Sequence, residues 1–284
     1  MSSRIGADVL TLQDPIETRD RIVRFLRTHA TRIGARHLVV GMSGGLDSSV
    51  AAVLCSIAVG GRRTLAFCLP EEDTFNPSNL KDAQDVARKH SIQFTTLDIT
   101  ELVRTATKLV NASRSINDIP VGNVKARLRS MILYYYANAK NGIVVGTSDK
   151  SEIMLGYFTK YGDGASDIQP LADMYKTTLR DLAKHLGLPA RVYSKPSSPD
   201  LWSGQTAEGD LGLSYDKLDL ILWGLERWMH PSDISRDLSI PLNIVEGIRK
   251  KWLRAEHKRR PPLSMKLGYR TSGQDLRIPY SLSD

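Results

Sequence analysis

Cysteine is nearly absent: Cys55 and Cys68 are the only two among 284 residues. Both lie in apolar stretches without metal-type spacing, which excludes a disulfide framework and fits a reducing interior. Long apolar runs are missing too. The best, residues 50–59, is half the ~20 residues needed to cross a bilayer, and Met1-Ser-Ser-Arg-Ile-Gly-Ala-Asp8 has no apolar signal core. A cytoplasmic protein without a membrane partner is expected. Glycine and proline together number 34, an ordinary share that excludes collagen-like and low-complexity chains. No internal repeat is visible. Acidic residues are outnumbered, 31 against 39 basic, giving a net charge of +8. That excess points to anionic partners such as nucleotides, phosphates or nucleic acid without choosing among them.

What is present alternates. Asp14-Pro15 opens a helix running to about Arg32. Residues 37–41, 64–69, 92–97 and 143–146 read as strands. Helices fall between them near 48–59, 78–90, 99–110 and 124–138. This rhythm predicts an α/β fold, a parallel sheet with helices on both faces, forming a core over about 14–190. After Gly146 the pattern turns to loops and helices, giving a helical C-terminal part over about 213–262. The intervening stretch 194–212 is polar and rich in Pro, Ser and Gly. A loop this long in a compact fold suggests a lid, with Trp202 as the residue that docks.

The informative peptide is Gly41-Met-Ser-Gly-Gly-Leu-Asp-Ser-Ser49. A glycine-rich turn that ends at a helix N-terminus offers free N–H groups and the positive end of the dipole, which suits phosphate or pyrophosphate. Ser43 and Ser48 can add hydroxyl donors. Asp47 would repel a phosphate unless a divalent cation lay between them, so it reads as a Mg²⁺ ligand. The spacing Gly41-x-Ser43-x-Gly45 also matches the hydrolase nucleophile elbow, but no histidine stands out as its base. A tight turn that merely needs glycine is the third reading. No Gly-Lys-Ser/Thr follows, which excludes a Walker A loop.

Ser43-Gly-Gly-Leu-Asp-Ser48 resembles the SGGxDS loop of the ATP pyrophosphatase superfamily. Further blocks narrow the likeness: Gly146-Thr-Ser-Asp-Lys-Ser-Glu152, Gly156-Tyr-Phe-Thr-Lys-Tyr-Gly-Asp-Gly164, Pro170-Leu-x-x-x-Tyr-Lys176, Gly204-Gln-Thr-x-Glu208, Leu211-Gly-x-Ser-Tyr-Asp216 and His257-Lys-Arg259. In this order they resemble the ammonia-dependent NAD synthetase family over most of residues 14–262. The resemblance implies an adenine nucleotide alpha hydrolase-like fold and ATP-dependent amidation of deamido-NAD. It implies ATP contacts from Gly41, Met42, Ser43, Gly44, Gly45, Leu46, Asp47, Ser48, Thr147, Lys176 and Ser198, with Asp47 and Glu152 on Mg²⁺. Arg127, Lys160, Asp167, His257 and Lys258 would contact the dinucleotide; Asp47, Lys160 and Lys176 would serve catalysis. Ser197-Ser-Pro-Asp-Leu-Trp202 departs from the family's more usual Pro-Thr-Ala-Asp-Leu. Taken alone, His257 reads equally as a cation favoured at a helix C-terminus, and any one lysine as a solvated surface residue.

The chemistry follows from leaving groups. Oxide cannot leave a carboxylate, so the acid must first be activated; the resemblance implies transfer of AMP to it, with release of pyrophosphate. Ammonia then displaces AMP from the acyl carbon. Neither cysteine lies in a nucleophile-like setting and the chain offers no room for a glutaminase domain, so ammonia is the expected nitrogen donor. The clusters Arg249-Lys-Lys251 and Lys258-Arg-Arg260 lack interleaved aromatics, which argues against a nucleic-acid partner. Val124, Leu128, Met131, Ile132 and Tyr135 form a stripe expected to face the core. Leu133, Tyr134, Tyr136 and Ala137 extend apolarity around the helix, so a homodimer is expected there.

Overall fold

The computed structural model describes residues 5–110 and 119–276. Asp14 accepts the Glu17 N–H at 2.8 Å, and Pro15 stands where no N–H is needed, so the helix Pro15–Ile33 starts where its sequence dictates. It ends at Gly34, whose φ of 73° is left-handed. Four strands follow: β1 (His37–Gly41), β2 (Thr64–Cys68), β3 (Gln93–Thr96) and β4 (Gly142–Val145). All pair in parallel, in the order β3-β2-β1-β4, with Val39 between Leu65 and Val144. Strand β3 is a largely exposed edge, shorter than its apolar flanks Ile92 and Leu97 suggest.

Alternation along β1 sorts the core into two faces. Leu38 and Val40 point to the helices Pro15–Ile33, Leu46–Val59, Pro77–Lys89 and Lys176–His185, meeting Leu26, Val50, Val86 and Leu179. Val39 points to the opposite layer, where Val103 of helix Thr100–Leu109 and Ala137 of helix Ile119–Ala139 cover the sheet. Helix Leu46–Val59 is apolar on every side and almost wholly buried. A second core gathers the helices Lys150–Leu155, Ala207–Leu211, Tyr215–Glu226, Pro231–Leu238 and Leu242–Arg254 around Tyr215, Leu218, Ile221, Ile234 and Val245. Among the described residues no helix is long and apolar enough to cross a membrane.

Helix Ile119–Ala139 departs in part from the expected orientation. Met131 and Tyr135, placed on the core stripe by spacing, are 55% and 67% exposed. The inward side carries Ala126, Ser130 and Ala137, flanked by Leu133, Tyr134 and Tyr136 against the sheet. Leu128 and Ile132 pack against the same layer, as their spacing predicts. From Met131 to Ala137 the helix is apolar all round, so periodicity gives that half no preferred side. Small residues decide, because they let the backbone approach closely: Ser130 donates to the Gly162 carbonyl, and Tyr136 stacks on Phe67 at 4.4 Å.

Candidate active site

The chain steps from β1 outward to β2 and β3, then crosses back to lay β4 on the other side of β1. A crevice opens at the carboxyl ends of two strands whose connections diverge in this way, and open α/β sheets bind ligands there. The loop after β1 and the loop after β4 form its two walls.

The first wall is the glycine turn. Gly44 has φ +84°, and a Cβ there would stand 2.0 Å from the Asn79 carbonyl oxygen, so only glycine fits. Gly45 is the N-cap of helix Leu46–Val59 and supplies no side-chain cap, leaving the first-turn N–H groups to an outside acceptor. Ser43 and Ser48 lie with their hydroxyls 3.2 Å apart, and Ser43 Oγ also accepts the Gly45 N–H at 3.3 Å. Met42 and Leu46 are buried in the core, so only their backbone is available to a ligand.

The second wall follows β4. Asp149 caps helix Lys150–Leu155 by accepting the Glu152 N–H at 2.8 Å, while Glu152 Oε2 accepts the Asp149 N–H at 3.4 Å. Thr147 is half-buried just ahead of it. Between the walls lies the Lys176 ammonium, 2.7 Å from Asp47, 2.8 Å from Glu152 and 2.9 Å from Asp149. Sequence reasoning brought Asp47, Glu152 and Lys176 to one site and missed Asp149. Its signal was the Asp-x-x-Glu capping spacing within residues 149–152.

The lysine is held from behind as well. Its backbone N–H donates to Ser151 Oγ at 3.0 Å, and Ser151 donates to Asp219 at 2.5 Å. Asp219 also accepts from the Thr177 N–H and hydroxyl, both at 2.9 Å. The Tyr215 ring lies under the ammonium at 5.1 Å. Tyr215 belongs to the block Leu211–Asp216 noted in the sequence, where it had no assigned role, and Asp219 was not singled out.

Burial governs the electrostatics here. It pushes the Glu152 carboxyl up to about 7, against the pull of Lys176, and Asp47 adds to the rise. Asp149 is also raised well above the ordinary carboxylate value, mainly by burial and despite Lys176. Burial alone would lower the Lys176 ammonium, but Asp149, Asp47 and Glu152 together hold it well above the ordinary value. With all three carboxyl groups ionised, the cluster would carry two formal negative charges in excess of its ammonium in a buried crevice. Isolated charges there would be costly, so the cluster is built for a cation.

The other expected residues form a second group beside this one. Lys258 donates to the carbonyls of Gly156 and Phe158, both at 2.7 Å, and burial lowers its ammonium. Lys160 donates to the His257 carbonyl at 2.8 Å, and Arg127 donates to the Lys160 carbonyl at 3.3 Å. Arg127, Lys160, His257 and Lys258 are thereby linked through the segment 156–160. Asp167 stands apart at the sheet edge, accepting from the Val144 N–H at 2.7 Å and from the Tyr134 hydroxyl at 3.3 Å. Ser198 is exposed and accepts the Asp200 N–H at 3.1 Å.

The segment that includes Ser198 is tied at both ends. Lys195 donates to Asn79 and Asp82, each at 2.9 Å. Gln205 and Tyr157 both donate to Asp210, at 2.8 and 2.7 Å. Residues 207–210 belong to helix Ala207–Leu211, with Ala207 buried. Trp202 and Leu201 lie over Gly122, where an added Cβ would meet Leu201 at 3.0 Å.

An anion-receptive turn beside a carboxylate cluster, at the switch point of a parallel sheet, places this protein among the nucleotide-binding α/β folds. Comparison with known sequences narrows the class. The sequence profile of the NAD synthase family matches residues 18–262, and the chain belongs to that family. It is 41% identical over 248 residues to the NH(3)-dependent NAD(+) synthetase of Methanocaldococcus jannaschii, covering 87% of this chain and 95% of that one. It is 37% identical over 260 residues to the protein of the same name from Staphylothermus marinus, covering 89% and 94%. Among solved structures, NMN synthetase from Francisella tularensis superposes with a TM-score of 0.78 at 31% identity, covering 89% of this chain and 99% of that one. NH3-dependent NAD synthetase from Campylobacter jejuni gives 0.75 at 26% identity, covering 90% and 100%.

Proposed function

We propose that this chain is a ligase that amidates deamido-NAD with ammonia, using ATP and releasing AMP and pyrophosphate. The observation that carries this reading is the meeting of Asp47, Glu152 and Lys176 beside the glycine turn. Family membership and relatives named for the same reaction along nearly their whole length support it.

The substrate carboxylate oxygen attacks the α-phosphorus of ATP, and pyrophosphate departs. The first-turn N–H groups of helix Leu46–Val59 and the hydroxyls of Ser43 and Ser48 are disposed to receive its charge. Lys176 adds a point charge on the same side, with Thr147 and Ser198 as further ATP contacts. Ammonia then attacks the acyl carbon, AMP leaves with the carboxylate oxygen, and the nitrogen sheds a proton. Arg127, Lys160, Asp167, His257 and Lys258 are proposed to hold the dinucleotide.

The residues present suit Mg²⁺. Asp47 and Glu152 each offer carboxylate oxygens, the hard donors that such a cation takes, close enough together to share one ion. Asp47 and Glu152 would hold the ion, which when bound supplies charge neutralisation to the phosphates.

Met131 and Tyr135 are exposed on helix Ile119–Ala139, and we assign this face of the helix to a homodimer contact. Residues 194–212, the last part of which is the helix Ala207–Leu211, are assigned to a lid over the crevice. A cytoplasmic location fits the buried, unpaired thiols of Cys55 and Cys68, which burial raises to about 12 and 11. The structural likeness to an NMN synthetase favours a second reading, amidation of the mononucleotide acid. Supplying ATP, Mg²⁺ and ammonium with each deamido nucleotide in turn, and measuring amide and pyrophosphate, separates the two. A higher kcat/KM for the dinucleotide is expected; a preference for the mononucleotide would replace the reading.

A further inference from the structure

Asp149 differs from the two carboxylates that share its lysine. Asp47 and Glu152 each keep 18% of the side chain exposed, whereas Asp149 and Lys176 are both at 0%. Asp47 and Glu152 thus retain access to the solvent that would deliver an ion, and Asp149 does not. Asp149 also divides its oxygens: Oδ1 accepts the Glu152 N–H at 2.8 Å, and Oδ2 faces Lys176 Nζ at 2.9 Å. That second oxygen is buried and out of line for a hydrogen bond from any donor. An N-cap needs only the first oxygen, and serine or asparagine would serve there equally well. The second carboxylate oxygen and its charge are unexplained by capping.

Lys176 poses the complementary problem. Its ammonium lies 2.7–2.9 Å from all three carboxylates, in the space where Asp47 and Glu152 would converge on a divalent ion. An ammonium and a divalent ion cannot both lie within hydrogen-bond distance of the same two oxygens without strong repulsion. One must withdraw. Summed over the cluster, three carboxylates, one ammonium and one divalent ion come to zero charge, so the site tolerates both cations only if the lysine keeps a carboxylate of its own.

We propose that Asp149 is a positioning residue, the standing counter-ion onto which Lys176 withdraws when a divalent cation takes Asp47 and Glu152. This rests on the reading that those two residues hold the cation. Asp149 acts through Lys176 and does not ligate the ion. In its absence the lysine has no anion to withdraw to and competes with the ion outright.

The test is a double-mutant cycle on Mn²⁺ binding to the full chain without nucleotide, read by electron paramagnetic resonance of free Mn²⁺. Asp149→Asn keeps the cap and removes the charge; it is expected to weaken Mn²⁺ binding about tenfold. In a Lys176→Met background the same substitution is expected to change affinity less than about twofold, because no lysine then needs a partner. Thermal denaturation checks folding, and Asp149→Ser and Lys176→Gln repeat the cycle if either first choice misfolds. An unchanged affinity in Asp149→Asn would reduce the residue to a cap and overturn the proposal. A tenfold loss that persists without Lys176 would make Asp149 a ligand and overturn it equally. Asp47→Asn reports on the underlying reading by itself: full Mn²⁺ affinity there would remove the cation from Asp47 whatever the cycle shows.

Discussion

Gly44 offers the sharpest perturbation of the phosphate-binding turn. In Gly44→Ala the new Cβ would stand 2.0 Å from the Asn79 carbonyl oxygen, whereas ordinary contact begins near 3.4 Å. The gap of 3.4 − 2.0, or about 1.4 Å, must come from the turn or from the N-terminus of helix Pro77–Lys89, and both are backbone. The φ of +84° adds strain of about 1–2 kcal/mol for a residue with a Cβ. A displacement near 1 Å in a group that positions substrate lowers kcat/KM by about 10²-fold. The expected result is therefore a fall in kcat/KM for ATP of about 100-fold, with Tm lower by roughly 4–8 °C if the total is about 2 kcal/mol. Gly34→Ala is the comparison. Gly34 also has a positive φ, +73°, but nothing lies within 4 Å of its would-be Cβ, so it should lose Tm and keep its kinetics. Steady-state amidation and thermal scanning of the two variants measure both quantities. A Gly44→Ala enzyme within about threefold of the parent kcat/KM would refute the claim that this turn holds ATP.

Four other outcomes follow from the structure. Lys125→Met leaves Glu71 buried without its 2.7 Å partner and should destabilise by about 3–5 kcal/mol, largely recovered in Lys125→Met/Glu71→Leu; urea unfolding of the three proteins decides it. Asp82 is held below the ordinary carboxylate value by Lys195 and Arg191, which outweigh its burial, so its stabilisation is present above pH 3.8 and fades as pH falls through the lower folded value. The Tm deficit of Asp82→Asn should accordingly shrink below about pH 4. Glu152 has the opposite sign: with its carboxyl raised to about 7, folding loses stability as pH climbs from 4.5 towards 7, and Glu152→Gln should gain Tm relative to the parent at pH 8 but not at pH 4. Met131→Glu/Tyr135→Glu should convert a dimer to a folded monomer by sedimentation; a parent protein that is already monomeric at micromolar concentration removes the dimer proposal.

What the sequence disclosed was local chemistry. The turn at Gly41–Ser48 could be read because its glycines, hydroxyls and carboxylate act over a few adjacent residues, and the strand rhythm because buried parallel strands are apolar on both faces. Asp149 could not be, because a lone aspartate before a short helix is an ordinary cap. Its other role comes from Lys176, which a separate helix brings to 2.9 Å. The inward side of helix Ile119–Ala139 was partly hidden for a different reason: with apolar residues all round from Met131 to Ala137, close packing through Ala126, Ser130 and Ala137 chose the face, and spacing did not. Lys258 and Asp167 were read as ligand contacts. The fold engages both already, Lys258 on two carbonyls and Asp167 on the Val144 N–H, and those partners exist only once the chain is folded.

The central claim is that the acid is activated by adenylation at the Gly41–Ser48 turn before ammonia attacks. Deamido-NAD labelled with ¹⁸O in its carboxylate, incubated with the enzyme, ATP, Mg²⁺ and ammonium, tests this directly by mass spectrometry of the products. The account predicts NAD and unlabelled pyrophosphate, with one labelled oxygen in each AMP. Label in inorganic phosphate, with ADP in place of AMP, would mean acyl-phosphate chemistry and contradict it.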